Sequence, residues 1–221
     1  MKSILVFLSV AIWSISAASA GQPPSTVNDS GTAIVQRSAN LRLGYHAIYH
    51  GMRAGLELPL SSLTINRNKG NGSVKQRTKH RFATANVGWY HHATFHTNVL
   101  VTAGIGRRRV RPKGYFTDAS LELGYSRTFI GGTTYSVSET GTVSTSANAG
   151  YHYAAVSTGT SAGYDFSVTQ NLPISAYSRL NLLLLLPYNG TIYPRIGLEL
   201  GIIYRPANLF SRNINSITRT R

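Results

Sequence analysis

The sequence predicts an all-β chain: a single antiparallel up-and-down transmembrane β-barrel of about ten strands (eight to twelve), preceded by a cleaved signal peptide. Three observations predict it. The first twenty residues read as an export signal. The rest alternates apolar and polar residues with period two, segment after segment. No stretch after residue 20 is long and apolar enough to cross a bilayer as a helix, so a chain that spans must do so as a closed barrel with every backbone group paired.

Met1-Lys2 gives a minimal positive start, Ile4 to Ile15 an apolar run, and Ala18-Ser19-Ala20 a small-residue cleavage site. Residues 1–20 are therefore set aside as a signal peptide and 21–37 as an N-terminal segment, in which a further strand around Thr32 to Arg37 is the alternative to long loops facing the periplasm. The barrel is expected over 38–206, with a basic C-terminal tail over 207–221. The chain has no cysteine, so an exported fold must hold by packing and hydrogen bonding alone.

Strand by strand, Leu41, Leu43, Tyr45, Ala47 and Tyr49 oppose Arg42, Gly44, His46 and His50. Met52, Ala54, Leu56, Leu58 and Leu60 oppose Arg53, Gly55, Glu57 and Ser61. The same separation runs through 83–89, 98–106, 118–126, 146–153 and 162–169, and a weaker strand lies near 133–138. Ala176 to Leu186 is almost wholly apolar, and Ile196, Leu198, Leu200, Ile202 and Tyr204 close the series against Arg195, Gly197, Glu199 and Gly201. Alternation alone leaves open which face is buried. Three features favour lipid outside: a polar face of Gly, Ser, Thr, Asn and paired charges, aromatics near strand ends, and strands long enough to span. The alternative is a secreted soluble β-barrel or sandwich with its apolar face inward, binding a ligand or polyanion.

On this pattern, over most of residues 38 to 206, the chain resembles small outer-membrane β-barrel proteins of Gram-negative bacteria. Its last strand, Arg195-Ile196-Gly197-Leu198-Glu199-Leu200-Gly201-Ile202, is similar to the C-terminal assembly signal of that class, although the chain continues past Tyr204 to Arg221. The resemblance implies an outer-membrane address, insertion by a barrel-assembly machinery, and a structural, adhesive or narrow-transport role.

The charges suggest two sites. Glu57, Glu122 and Glu199 each sit in a Leu-Glu-Leu triplet on the polar face, where Asp118 and Asp165 also fall. With Arg42, Arg53 and Arg195 on that face, the expectation is a lumenal ion-pair network, because charges withdrawn from water must be paired. The second site is a cluster of arginines. The net charge is +15, from 22 basic residues against 7 acidic ones. For an exported chain this points to anionic lipid or sugar rather than nucleic acid. Arg107, Arg108, Arg109, Arg111 and Lys113 are the candidates for gripping phosphate, as on lipopolysaccharide.

No cofactor, metal site or catalytic set is expected. His91, His92 and His96 cluster near a turn without an established ligand spacing. A lipid-acting barrel hydrolase is the third functional reading, and it lacks a Gly-x-Ser-x-Gly elbow.

Overall fold

Alternating side chains on long strands dictate a sheet, and a sheet whose strands all find two neighbours closes on itself. In the computed structural model, which describes residues 31–68, 74–92, 95–146, 148–188 and 191–220, that closure is complete. The chain forms β1 (Gly31–Arg37), β2 (Asn40–His46), β3 (Gly51–Asn68), β4 (Val74–His92), β5 (His96–Val110), β6 (Tyr115–Ile130), β7 (Thr134–Val137) and β8 (Val143–Ser146). It continues through β9 (Gly150–Asp165), β10 (Ile174–Tyr188), β11 (Thr191–Tyr204) and β12 (Arg212–Thr220). Residues 1–30, which include the expected signal peptide, lie outside the described residues.

Ten of these strands make one sheet in the order β1-β12-β3-β2-β11-β10-β9-β6-β5-β4, and β3 also pairs with β4. The ring is therefore eight-stranded and antiparallel: β2, β3, β4, β5, β6, β9, β10 and β11. It is closed by β11 on β2, with Glu199 opposite His46 and Tyr204 opposite Leu41. Its longer strands run 14 to 19 residues, beyond what a tilted strand needs to cross a bilayer. Strands β7 and β8 form a separate hairpin within the connection 131–149.

The two rims differ. One, called distal here, carries the turn 47–50 and the connection 131–149. The other, proximal, carries the tight turn Arg111–Gly114, in which Gly114 has φ +87°. Beyond the proximal rim β3 and β4 continue as a long hairpin, and β12 lies parallel to β3 with Asn215 opposite Ser61 and Thr220 opposite Asn66. Strand β1 completes this extension by pairing antiparallel with β12.

Burial identifies the solvent of each face. Leu41, Leu43, Met52, Val87, Val101, Ile105, Leu121, Leu123, Leu180, Ile196 and Leu200 are all exposed on the outside. Arg42, Arg53, Glu57, Arg108, Asp118, Glu122, Arg179 and Glu199 are buried within. A soluble barrel places its apolar face inward; this one does the reverse, the arrangement of a barrel whose outer wall meets lipid. The soluble-barrel alternative fails on that point, because the interior is charged.

Three sequence expectations are corrected. Residues 146–153 and 162–169 are not two strands but largely one, β9; Thr158-Gly159-Thr160 reads as a break because its small polar side chains interrupt the apolar series, yet the backbone stays extended. The weak strand near 133–138 is only the first arm of the small β7–β8 hairpin. The 207–221 tail contains β12, whose alternation is hidden because Ile214 and Ile217 are three apart. The 21–37 segment contains β1, at the place of the further strand considered around Thr32 to Arg37.

Candidate functional site

The lumen is built by neighbouring strands that each turn a charged side chain inward at the same level. Glu122, on β6, is 1% exposed and accepts from Arg53 (2.6 Å), Arg179 (2.9 Å), Thr102 (2.9 Å), Ser120 (3.0 Å) and Asn86 (3.3 Å). That saturates a carboxylate's acceptor sites. Nearer the proximal rim, Arg108 holds Glu57 with two hydrogen bonds of 3.0 and 2.9 Å and reaches Asp118 at 2.9 Å. Arg42 donates to the same Glu57 at 3.1 Å, and Ser161 donates to Asp118. Glu199 joins the two halves: it accepts from Arg53 at 3.3 Å and from the Tyr177 hydroxyl, and lies 4.0 Å from Arg42.

Four arginines (42, 53, 108, 179) thus meet four carboxylates (57, 118, 122, 199), and the connected network is neutral. Neutrality is what burial demands, since an unpaired ion in this interior costs several kcal/mol, about 3–5 when a pair is broken. Small residues leave the room. A Cβ on Gly159 would lie 2.6 Å from the Arg179 Nε, and one on Gly44 would lie 2.5 Å from Glu199 Oε1. The polar face is glycine-rich because a narrow barrel full of arginine has space for little else.

Apolar and aromatic layers bracket the charges. Towards the distal rim Tyr153, Ala155, Leu183 and Leu185 pack together with Leu100 and Tyr193 against them. Towards the proximal rim Phe116, Tyr177 and Ile203 form a second cluster. The Arg108 guanidinium lies 4.9 Å over the Phe116 ring and 5.2 Å over Phe82, and that of Arg42 lies 4.1 Å over Tyr177, contacts that reward a cation removed from water.

Seven of the eight expected lumenal residues are ion-paired: Glu57, Glu122, Glu199, Asp118, Arg42 and Arg53 in the network, and Asp165 with Arg205 at 2.8 Å near the proximal rim. Arg195 is the exception. It points inward near the distal rim, but its partners are aromatic: it donates to the Tyr90 hydroxyl and, at 2.7 Å, to His96 Nε2, and stands about 5 Å over the rings of Tyr49, Tyr90 and Tyr193.

The phosphate-gripping cluster also divides. Arg108 is 4% exposed and belongs to the lumen, whereas Arg107, Arg109, Arg111 and Lys113 are exposed outside, at the proximal rim. The grouping fails at Arg108 because a run of three arginines on a strand must send its middle member to the opposite face. Arg179 was missed for a related reason. It sits in the apolar stretch from Ala176 to Leu186, but Ser175, Tyr177, Arg179 and Asn181 share one face, and that sub-pattern is its signature.

The distal histidines serve as girdle and lining groups. His91 stacks on Trp89 and pairs with Thr97 at 2.9 Å, while His92 stacks on His96 with 5.6 Å between centroids. The strand-end aromatics split likewise: Tyr45, Trp89, Tyr125 and Tyr151 face out, and Tyr90 and Tyr153 face in.

No family model and no curated protein matches this chain. A solved structure described as the beta domain of the Bordetella autotransporter Brka is similar to it at a TM-score of 0.34 and 13% identity, over 84% of this chain and 80% of that one.

Proposed function

We propose that the chain is an integral outer-membrane β-barrel whose lumen is plugged by its own ion pairs, acting as a structural or anchoring body rather than an open pore. The observation that carries this reading is the pairing of an exposed apolar outer wall with a neutral, buried Arg–carboxylate interior. Such a barrel has an exterior suited to lipid and a bore occupied by side chains. The barrel-assembly machinery is the partner its biogenesis requires, and outer-membrane lipid is its solvent.

The test is fractionation of expressing cells, then electrophoresis of the detergent-extracted band with and without boiling. A membrane-fraction band that migrates faster unboiled supports the reading, and a planar-bilayer recording without steady conductance supports the plug. Recovery in the soluble fraction without detergent overturns the first part; a stable open conductance of the wild-type protein overturns the second.

A further inference from the structure

The outer wall carries a feature that the plugged interior does not explain. Among the described residues, five acidic side chains are buried in the barrel (Glu57, Asp118, Glu122, Asp165, Glu199), and Glu139 sits in the β7–β8 hairpin at the distal rim. The described outer wall and the proximal extension therefore have no carboxylate. They do have basic residues. Lys79 and Arg81 on β4 share the outward face with Ala83, Ala85, Val87 and Trp89, and Arg107 and Arg109 on β5 share it with Val101, Ala103 and Ile105.

Register sharpens the point. Arg81 lies directly opposite Arg107, and Lys79 directly opposite Arg109. Like charges facing one another across an antiparallel pair repel, and here two such pairs are stacked along the same two strands. Arg77 continues the row along β4, and Arg111 and Lys113 extend it through the β5–β6 turn. Among the described residues no carboxylate on this face neutralises the array, which leaves it open to an anion from outside.

Position limits what supplies it. The array begins where the apolar wall ends, along the same strands and on the same face, so an anion touching it lies at the edge of the hydrocarbon layer. We propose that this proximal belt binds the phosphates of anionic phospholipid headgroups and sets the depth of the barrel in the bilayer. Arginine suits that ligand because its planar fork grips phosphate with two hydrogen bonds. The inference rests on the membrane reading above. We take the distal rim, which carries the longest link between successive ring strands (131–149), as the outward one, since outward loops are the longer in such barrels, although β3 and β4 also project beyond the proximal rim. The belt then meets the periplasmic leaflet and its phospholipid, not lipopolysaccharide.

The experiment folds the full chain into phosphatidylcholine nanodiscs, with or without a third of the lipid as phosphatidylglycerol, and reads the lipid retained on mild delipidation by mass spectrometry. The wild-type barrel is expected to retain phosphatidylglycerol about tenfold over its share in the mixture, with the preference reduced in high salt. The variant Lys79→Gln/Arg81→Gln/Arg107→Gln/Arg109→Gln is expected to lose the preference while keeping its heat-modifiable migration. Equal retention of the two lipids by the wild type, or an undiminished preference in the variant, overturns the proposal. So does preferential retention of lipopolysaccharide when it is included, which would reassign the rim. A chain that folds in neither nanodisc overturns the membrane reading itself, a different failure from a folded barrel without lipid preference. If the variant fails to fold, the salt dependence of the wild type decides alone: a preference unchanged by salt overturns the belt.

Discussion

Arg108 and Arg109 are neighbours in sequence and lie on opposite walls of the same strand. Arg108 is 4% exposed, holds Glu57 and Asp118, and stands over two phenylalanine rings. Arg109 is exposed and faces Lys79. The inner wall balances each of its central cations with a carboxylate of the chain itself; among the described residues the outer wall supplies none. The same side chain is thus a fixed structural group on one face and an exposed cation on the other, and one step along a strand separates the two.

Breaking the inner wall should give the largest effect. Glu122→Gln strips Arg53 and Arg179 of their shared counter-ion, and Arg108→Gln leaves Glu57 and Asp118 short of theirs. Each is expected to destabilise the barrel by about 3–5 kcal/mol, seen as a lower temperature for losing the fast-migrating folded band. A loss under 1 kcal/mol for both would mean that water enters the lumen and solvates these ions.

Placing the inner wall's residue on the outer one comes next. Leu123 is 62% exposed midway along β6, and Leu123→Arg should cost roughly 2–4 kcal/mol in a bilayer. Urea titration of barrels folded in vesicles measures it. A neutral outcome would show that this wall does not face hydrocarbon.

Crowding the lumen should cost less. Gly159→Ala drives a methyl group against the Arg179 guanidinium, an overpacking expected to cost about 1–3 kcal/mol in the same titration. An unchanged midpoint would mean that Arg179 has room to swing aside. The smallest effect belongs to Arg109→Gln in zwitterionic lipid. It should stay within about 0.5 kcal/mol of wild type, because an exposed cation without a partner has little to lose. A cost near that of Arg108→Gln would erase the distinction between the walls.

Much of this was legible in the string. The Leu-Glu-Leu triplets at 57, 122 and 199 name three carboxylates whose neighbours face the other way, and all three are in the network. Periodicity carried that information because wall strands alternate strictly. It failed where alternation is masked: Arg179 within a leucine-rich run, and β9, where Thr158 and Thr160 occupy outward positions and read as a turn. Arg195 faces inward as its place on the strand requires, but it meets aromatic groups instead of a carboxylate, and its hydrogen-bond partners Tyr90 and His96 come from β4 and β5, strands distant in sequence. Pairing across the ring is a property of strand order and register, and neither is written in any one segment.

The parallel seat of β12 on β3 also bears on how copies of this chain meet one another. Strand β2 covers the β3 edge only as far as Glu57, so residues 61–66 would otherwise present a bare row of amide and carbonyl groups beyond the ring. An open edge of that kind is a template for any extended chain that arrives. By laying its own last strand there, the protein occupies the template before a neighbour can. A form shortened at residue 206 would keep all eight wall strands and the whole charged interior, yet lose its protection against self-association.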